Sequence, residues 1–327
     1  MLILRRGTTD PFFNLAAEEY ILKNFDEATF ALWRNEASII VGKHQNTLAE
    51  INLDYVRQKQ IKVVRRLSGG GAVFHDLGNL NFTFTQQAEG ENLIDFRKYT
   101  QPILEVLQEM GVDARFEGRN DLTIRGKKFS GNAMHIWKNK VLHHGTLLFS
   151  SEIPNLSEAL NVDPSKFRDK AVKSVRSRVT NISEHLNEPM DVMQFAGRIE
   201  QYIVEKNPEA RYYELTEEDH RNIQALADSR YALWDWNFGY SPVYNFRKVL
   251  RTESSGTIEI NLDVQDGVIG KIRIFGDYFG VLDSEEIEQA ITGIPHREDS
   301  LREALAPFDI WKYFANLPVE ELIKGFF

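Results

Sequence analysis

The stretch RRLSGGGAVFHDLGNLNFTF, residues 65–84, carries most of the information about the fold. Its second half alternates apolar and polar side chains, with Leu80, Phe82 and Phe84 on one face, which is the pattern of a half-buried strand. Its first half follows another apparent strand, IKVVRR, and contains three consecutive glycines. Glycine weakens regular structure unless the backbone must come close to something. The stretch therefore predicts a glycine loop that is held between two strands.

The segments around this stretch indicate a mixed α+β fold. Helical spacing begins after Asp10-Pro11 and again in DFRKYTQPILEVLQEMG, and residues 121–150 read as antiparallel strands joined by turns. We therefore expect a mixed, largely antiparallel sheet flanked by helices. The aromatic, turn-rich segment WDWNFGYSPVYNF suggests a boundary, with a large domain at 1–246 and a small α+β domain at 247–327. In the small domain, Asp266-Gly267 predicts a hairpin turn, and Asp283 with Glu286 has the spacing of a capping box.

Composition excludes several classes of function. The 327 residues carry a formal net charge of -9, which disfavours general attraction to nucleic acid or to an anionic membrane. The chain has no cysteine, so disulfides, thiolate catalysis and cysteine-based metal sites are excluded. The sequence has neither a signal-peptide pattern nor an apolar run long enough to span a membrane. We expect a cytoplasmic protein.

The glycine loop matches neither G-x-x-x-x-G-K-[ST] nor G-x-G-x-x-G. Consecutive glycines can still turn several N–H groups toward one anion, and Arg66 could add a bidentate contact. A simple turn between strands with surface arginines is an equally good interpretation at this point. A serine nucleophile motif is missing as well. An enzyme of this composition would activate its substrate with a cofactor rather than through a covalent enzyme intermediate.

Four further groups of residues could carry chemistry. Lys127 and Lys128 are adjacent in a probable hairpin, so one can face solvent while the other faces a cleft. Asp121 could serve as a magnesium-side carboxylate or simply form a turn. His143 and His144 should point to opposite faces of a strand and cannot easily share a metal. The basic run at 166–178 is either a solvated surface or a lid that closes over a nucleotide.

Six motifs occur in order: residues 65–84, GRNDL, KKFSGNA, HHGTLL, KSVRSRVTNI and WNFG. Together they resemble the lipoate–protein ligases of the biotin/lipoate protein ligase group, over nearly the whole chain, in the single-chain form with a C-terminal accessory domain. The resemblance implies a class II synthetase/biotin ligase-like catalytic fold. It also implies that lipoate and Mg-ATP form lipoyl-AMP and pyrophosphate, after which the lipoyl group passes to a carrier lysine. The implied carriers are E2 subunits of 2-oxoacid dehydrogenases and the glycine cleavage H protein.

The resemblance also implies roles for individual residues. Lys128 would be catalytic and would touch both lipoate and the α-phosphate, while Lys127 faces solvent. Asp121 would lie beside magnesium. The expected ATP contacts are Arg66, Gly71, Ala72, Val73, Phe74 and Lys128. The expected lipoate contacts are Lys128, Ser68, Gly70, His75, His144, Leu15 and Ala17. The expected adenylate-covering loop contains Lys173, Arg176 and Arg178.

Three related activities are alternatives to this interpretation. Biotin ligases carry a G-R-G-R type of motif, which is absent here. Octanoyl or lipoyl transferases take the acyl group from a carrier, and many use a cysteine that this chain lacks. A non-catalytic adenylate-binding homologue would keep the fold, but the presence of both Arg66 and Lys128 argues against it.

Overall fold

The computed structural model describes most of the chain. The described ranges are 1–45, 47–88, 94–160, 179–239, 246–252, 255–265 and 268–326. The predicted turn at Asp266-Gly267 and the basic residues Lys173, Arg176 and Arg178 lie outside these ranges.

A mixed sheet of eight described strands forms the centre of the first part of the chain. Its order is β11-β1-β2-β6-β10-β9-β8-β7, with β1 parallel to β2 and β11 and the other neighbours antiparallel. The predicted mixed, largely antiparallel α+β fold is confirmed. The strands are β1 Leu2–Arg5, β2 Thr29–Trp33, β6 Asn79–Gln87, β7 Ala114–Glu117, β8 Asp121–Ile124, β9 Lys127–Trp137, β10 Lys140–Leu148 and β11 Arg211–Glu214.

A second sheet of three strands holds the glycine loop. It consists of β3 Ser38–Val41, β4 Lys62–Arg65 and β5 Val73–His75. The central strand β3 pairs with β4 in parallel and with β5 in antiparallel orientation. The loop at 66–72 therefore starts on one side of β3 and ends on the other, so both of its ends are fixed by backbone hydrogen bonds.

Helices cover the sheets. The first, α1 Pro11–Asn24, begins where the sequence predicts, because the Asp10 side chain accepts from the backbone N–H of Phe12 at 3.0 Å. The amphipathic helix α4 Phe96–Glu109 is followed by Gly111 in the left-handed region (φ 79°). The remaining helices of this part are α2 Thr47–Glu50, α3 Leu53–Gln58, α5 Ile153–Ala159, α6 Val192–Lys206 and α7 Glu217–Leu226, with a 3₁₀ turn at Ile182–His185 and π turns at Ala227–Tyr231 and Asp235–Gly239.

The last 80 or so residues form a small α+β unit with its own apolar core. Ile258, Ile260 and Leu262 alternate inward along the middle strand, as predicted. The predicted capping box is wrong: the helix begins at Glu285 after Ser284, and Glu286 accepts a hydrogen bond from Tyr313 instead. The elements are β12 Phe246–Thr252, β13 Gly256–Gln265, β14 Val268–Gly276, α8 Glu285–Ile291, α9 Glu298–Leu305, α10 Ile310–Tyr313 and α11 Val319–Lys324.

This unit packs against the turn after β3, against α4 and against Gly69 of the glycine loop. The Tyr278 ring stacks on His44 with a centroid distance of 4.6 Å, and Phe279 meets Phe96 edge-on at 5.1 Å. Lys43 forms an ion pair with Asp283 across the same contact. The C-terminal unit thus contributes one side of the support beneath the loop.

In the described part of the chain, no helix combines the length and the apolar composition that crossing a membrane requires.

Candidate active site

A cavity of about 120 Å³ lies between the two sheets, beside the glycine loop. It takes its walls from α1, from strands of both sheets and from the loop itself. The residues that line it are Leu15, Trp33, Ile40, Arg66, Gly70, Gly71, Ala72, Val73, His75, Asn81, Asn120, Lys128, Gly131, Asn132, Ala133, His144, Gly145 and Thr146.

Arg66 is buried and holds the glycine loop in shape. Its Nη2 donates to the carbonyl oxygens of Gly69 at 2.6 Å and Gly71 at 2.9 Å, and its Nη1 donates to that of Ile40 at 3.0 Å. Burial lowers the pKa of Arg66 to about 10, so the guanidinium stays charged at neutral pH. A charged donor tied to carbonyl groups places a fixed positive charge at the cavity wall.

The neighbouring Arg65 has a different role. Its guanidinium donates to the carbonyl oxygens of Gly42, Lys43 and Gln45 at 2.7–3.0 Å and also reaches the 236–237 segment. The two consecutive arginines therefore point to opposite sides of β4. Arg65 joins the turn after β3 to the end of the first domain, and it does not line the cavity.

Two glycines are required by close packing under the loop. A β-carbon at Gly42 would overlap the carbonyl oxygen of Gly70, and one at Gly69 would overlap that of Tyr278 in the C-terminal unit. Gly71, which lines the cavity, has open space around the corresponding position. Some of these glycines thus allow backbone to pack on backbone, while Gly71 leaves the cavity side open.

His144 lines the cavity, and Ser68 contacts it from behind the wall. The Nε2 of His144 lies 2.6 Å from the Ser68 Oγ, and its Nδ1 lies 2.9 Å from a carboxylate oxygen of Glu18. Ser68 also accepts from the Nε of Arg66 at 3.0 Å. His143, the adjacent residue, faces the opposite side of the sheet and stacks on Tyr99 at 5.0 Å. The predicted opposite orientation of the two histidines is confirmed.

His75 closes another part of the wall as a neutral side chain. Burial lowers the pKa of His75 to about 3. Its Nδ1 lies 3.1 Å from the amide nitrogen of Asn35, and its ring packs edge-on against Trp33 at 6.1 Å. Since an amide nitrogen donates, Nδ1 accepts and the proton of the neutral ring lies on Nε2.

Lys128 lies at the more open end of the cavity. Its Nζ is 2.7 Å from Oδ1 of Asp121, and both side chains are about 40 % exposed (41 % and 38 %). The lysine side chain crosses Gly131, where a β-carbon would come within 3.1 Å of Nζ. Lys127 is exposed, as predicted. The pair is formed on neighbouring strands, since Asp121 opens β8 and Lys128 lies at the start of β9.

The structure brings together most of the residues that the sequence predicts. Leu15 lines the cavity, whereas Ala17 and Phe74 are buried in the surrounding core. Contact of Ala17 with an acyl chain therefore stays a prediction, as does a contact of the nucleotide with the backbone of Phe74. The predicted residues of the covering loop, Lys173, Arg176 and Arg178, lie outside the described residues.

Sequence reasoning missed several wall residues, notably Trp33, Asn81 and Thr146. Asn81 is the cross-strand partner of Trp33 on one side and of Thr146 on the other, so the three side chains share a face. Asn81 occupies a polar position in the alternating strand after the glycine loop, and this position could have identified it. Glu18 was also missed, although it lies one helical turn from Leu15.

The protein ligands for a metal are few within the part of the site that the structure describes. Among the described residues, no group of three histidine or acidic side chains is close enough to bind an ion. Asp121 offers a single half-exposed carboxylate. Magnesium typically uses one or two carboxylates together with substrate phosphates, and this donor set fits that mode.

Comparison with known proteins agrees with this geometry. Residues 10–204 match the lipoyl protein ligase A/B catalytic domain, and residues 241–326 match the bacterial lipoate protein ligase C-terminus. Lipoate–protein ligase 1 of Staphylococcus aureus is 44 % identical over 324 residues, which cover 98 % of each chain.

Solved structures also resemble the chain, including two with a bound ligand. The crystal structure of P. falciparum LipL1 in complex with lipoate is 25 % identical, with a TM-score of 0.81 over 99 % of this chain and 98 % of that one. A lipoate–protein ligase A bound with ATP is 27 % identical, with a TM-score of 0.64 over 73 % of this chain and 98 % of that one. The cavity, the glycine loop and these similarities agree: the chain is a ligase that belongs to the lipoate–protein ligase family.

Proposed function

We propose that this enzyme activates lipoate with ATP and then attaches the lipoyl group to a lysine of a carrier protein. In the first step a carboxylate oxygen of lipoate attacks the α-phosphorus of ATP, and pyrophosphate leaves. In the second step the ε-amine of the carrier lysine attacks the acyl carbon of lipoyl-AMP, and AMP leaves. Neither step needs a nucleophile from the enzyme, in keeping with the lack of cysteine.

The observation that best supports this proposal is the position of Lys128 opposite the glycine loop, across one cavity. Lys128 would donate to the lipoate carboxylate and the α-phosphate together, where negative charge builds up during the transfer. Gly71, Ala72, Val73 and Phe74 would follow the nucleotide with their backbone groups, since successive N–H groups form an anion-binding concavity. Arg66 would supply the fixed charge behind them.

The apolar walls would take the acyl chain. Leu15, Trp33 and Ile40 line the cavity and suit an eight-carbon acyl chain that ends in a dithiolane ring. Gly70, His75 and His144 would complete the lipoate site, and Ser68 would support it from behind the wall through its contact with His144. Ala17 would support the chain end from within α1. Lipoate and octanoate share this chain length, so either acid fits the same walls.

Asp121 would hold magnesium together with the ATP phosphates, where the ion supplies charge neutralisation. Lys128 would then exchange its pairing with Asp121 for the substrate oxygens. Both side chains are half-exposed, so the exchange requires no repacking of the core. Asp121 would thus neutralise the lysine in the free enzyme and bind the metal in the loaded one.

Residues 1–246 would carry both chemical steps, and residues 247–327 would be an accessory domain. The proposed carriers are the lipoyl domains of 2-oxoacid dehydrogenase E2 subunits and the glycine cleavage H protein. The basic run at 166–178, with Lys173, Arg176 and Arg178, would close over lipoyl-AMP. Equal protease sensitivity of that run with and without lipoate plus ATP would contradict this closure.

The direct test is ATP–pyrophosphate exchange with lipoate, octanoate and biotin compared in parallel. We expect lipoate and octanoate to support magnesium-dependent exchange and biotin to give none. An octanoyl or lipoyl transferase would give no exchange but would move acyl groups between carriers without ATP. A non-catalytic homologue would bind lipoate and ATP without exchange. Either result would contradict the proposal.

A further inference from the structure

We propose that Glu18 is a positioning residue that holds Arg66 and the glycine loop in place through His144 and Ser68. The proposal rests on the proposed function in one respect, the role of Arg66 beside the nucleotide. Glu18 itself is buried behind the cavity wall and does not line the cavity.

A continuous chain of hydrogen bonds joins α1 to the loop. Glu18 Oε1 accepts from the Thr83 hydroxyl at 2.5 Å, and Oε2 lies 2.9 Å from His144 Nδ1. His144 Nε2 meets Ser68 Oγ at 2.6 Å, and Ser68 Oγ accepts from Arg66 Nε at 3.0 Å. Arg66 then holds the carbonyl groups of Gly69 and Gly71. Elements that are far apart in the sequence are thereby fixed relative to one another.

The charge on Glu18 sets the direction of its hydrogen bonds with Thr83 and His144. Burial works against ionisation, but the contact with His144, the positive charge of Arg6 and the Thr83 hydroxyl keep the pKa of Glu18 below its usual value. A carboxylate only accepts, so His144 carries a proton on Nδ1. In the Nδ1–H tautomer, Nε2 accepts from the Ser68 hydroxyl, and the Ser68 oxygen accepts from Arg66. This arrangement leaves each of these groups satisfied.

The order carboxylate, imidazole, hydroxyl is also that of a serine hydrolase triad. Two observations separate the present arrangement from a nucleophile. Ser68 is only 1 % exposed and is not part of the cavity wall. Its oxygen already accepts from Arg66 at 3.0 Å. These hydrogen bonds therefore fix the position of Arg66, and Ser68 does not act as a nucleophile.

Replacing Glu18 by glutamine should reverse the direction of the hydrogen bond between His144 and Ser68. The glutamine oxygen would accept from Thr83, and its amide N–H would face His144 Nδ1, which moves the ring proton to Nε2. Ser68 then accepts from both His144 and Arg66, while its own proton loses its acceptor. A hydroxyl that no longer donates is a weaker acceptor, so the bond to Arg66 weakens. Arg66 should then hold the glycine loop less firmly, although Glu18 does not line the cavity.

The experiment combines a spectroscopic and a kinetic readout. In ligand-free protein with ¹⁵N-labelled histidine, we expect the Nδ1–H tautomer of His144 in the wild type and the Nε2–H tautomer in Glu18→Gln. In ATP–pyrophosphate exchange, Glu18→Gln should raise the KM for ATP, with kcat/KM falling on the order of 10²-fold. Retention of the Nδ1–H tautomer, or a change in the KM for lipoate alone, would overturn the proposal.

Two more variants keep the test decisive. Glu19→Gln removes the adjacent buried carboxylate, which pairs with Lys23 and Arg230, and should keep the wild-type tautomer and KM for ATP. Ser68→Ala removes the hydroxyl between His144 and Arg66 and leaves Glu18 in place. This variant should raise the KM for ATP and keep the Nδ1–H tautomer of His144. An unchanged KM for ATP would overturn the proposal even if Glu18→Gln fails to fold. The tautomer needs no substrate, so it reports on Glu18 independently of wild-type exchange activity.

Discussion

The glycine loop and the β8–β9 rim, which consists of Asp121 and Lys128, each place a cation at the cavity. They hold that cation in different ways. Arg66 on the loop is 5 % exposed and tied to three carbonyl groups and a hydroxyl. Lys128 on the rim is 41 % exposed and paired with a single carboxylate. The first cation is fixed before any substrate arrives, and the second is free to change partners. We therefore expect changes on the rim to affect the reaction with little effect on stability, and changes in the packing beneath the loop to affect stability.

Lys128→Ala should give the largest effect. Loss of one positioned donor to developing negative charge raises a barrier by about 2.7–4 kcal/mol, and adenylate formation should slow accordingly. The free energy of unfolding should change by about 1 kcal/mol or less, because a half-exposed ion pair contributes little. Pyrophosphate release measures the first effect and denaturant titration the second.

Lys127→Ala is the matched control, because it removes the same charge from the adjacent, solvent-facing position. It should keep wild-type pyrophosphate release. Near-normal release by Lys128→Ala would contradict the role of this lysine.

Gly42→Ala should destabilise the protein by about 1–3 kcal/mol, the usual effect of overpacking. The added β-carbon would overlap the Gly70 carbonyl group, which lies within the rigid loop. Gly71→Ala is the control, since nothing lies within 4 Å of its β-carbon position, and it should change stability by about 0.5 kcal/mol or less. Urea titration compares the two. Equal free energies of unfolding for Gly42→Ala and Gly71→Ala would contradict the close packing of Gly42 against Gly70.

The free energy of unfolding should also depend on pH through His75, which lies in the strand that follows the glycine loop. Burial lowers the pKa of His75 to about 3, so below the ordinary histidine value the unfolded chain binds a proton that the folded one does not. Stability should therefore fall as the pH drops from about 6.5 toward 3, by about 1.4 kcal/mol at pH 5.5 for this one group. His75→Gln should reduce the acid-induced loss by that amount.

Urea titrations at pH 7.5 and pH 5.5 measure this difference. His220→Gln replaces an exposed histidine and serves as the control for the substitution itself. An identical loss in His75→Gln and the wild type would remove His75 as its source.

Asp121→Asn should have the smallest effect on stability, within about 1 kcal/mol, because only the pair with Lys128 is lost. The variant should need more magnesium for half-maximal pyrophosphate exchange. Asp113→Asn breaks another exposed pair, with Arg115, and should leave the magnesium dependence unchanged. The same dependence in both variants would place the metal elsewhere.

Local patterns predicted much of this molecule. The Asp10 cap, the alternation from Leu80 to Phe84 and the opposite faces of His143 and His144 each depend on neighbours within a few residues. Family motifs then assigned Lys128 and the glycine loop to one site, and the structure places them at one cavity. The alternation and the opposite faces of the histidines follow from strand periodicity, whereas the assignment of Lys128 depends on the resemblance to the family.

Contacts between distant segments could not be predicted in this way. Arg65 binds the carbonyl group of Trp236, 171 residues away, and local sequence gives no sign of it. Glu18 and His144 are separated by 126 residues, so their pairing appears only once α1 lies against β10. The capping box at Asp283 failed for a similar reason, because Glu286 accepts from Tyr313 of a later helix, while the Asp283 carboxylate accepts from the Glu285 N–H and pairs with Lys43. Tertiary contacts override local signals at these sites.

The most direct test of the contrast between loop and rim is a crystal structure with a non-hydrolysable lipoyl-adenylate analogue and magnesium. We expect Glu18, His144, Ser68 and Arg66 to keep the hydrogen bonds that they make without ligand. Lys128 should have left Asp121 and should contact the acyl-phosphate junction of the analogue. A structure in which Lys128 still pairs with Asp121 while the loop has rearranged would contradict the account.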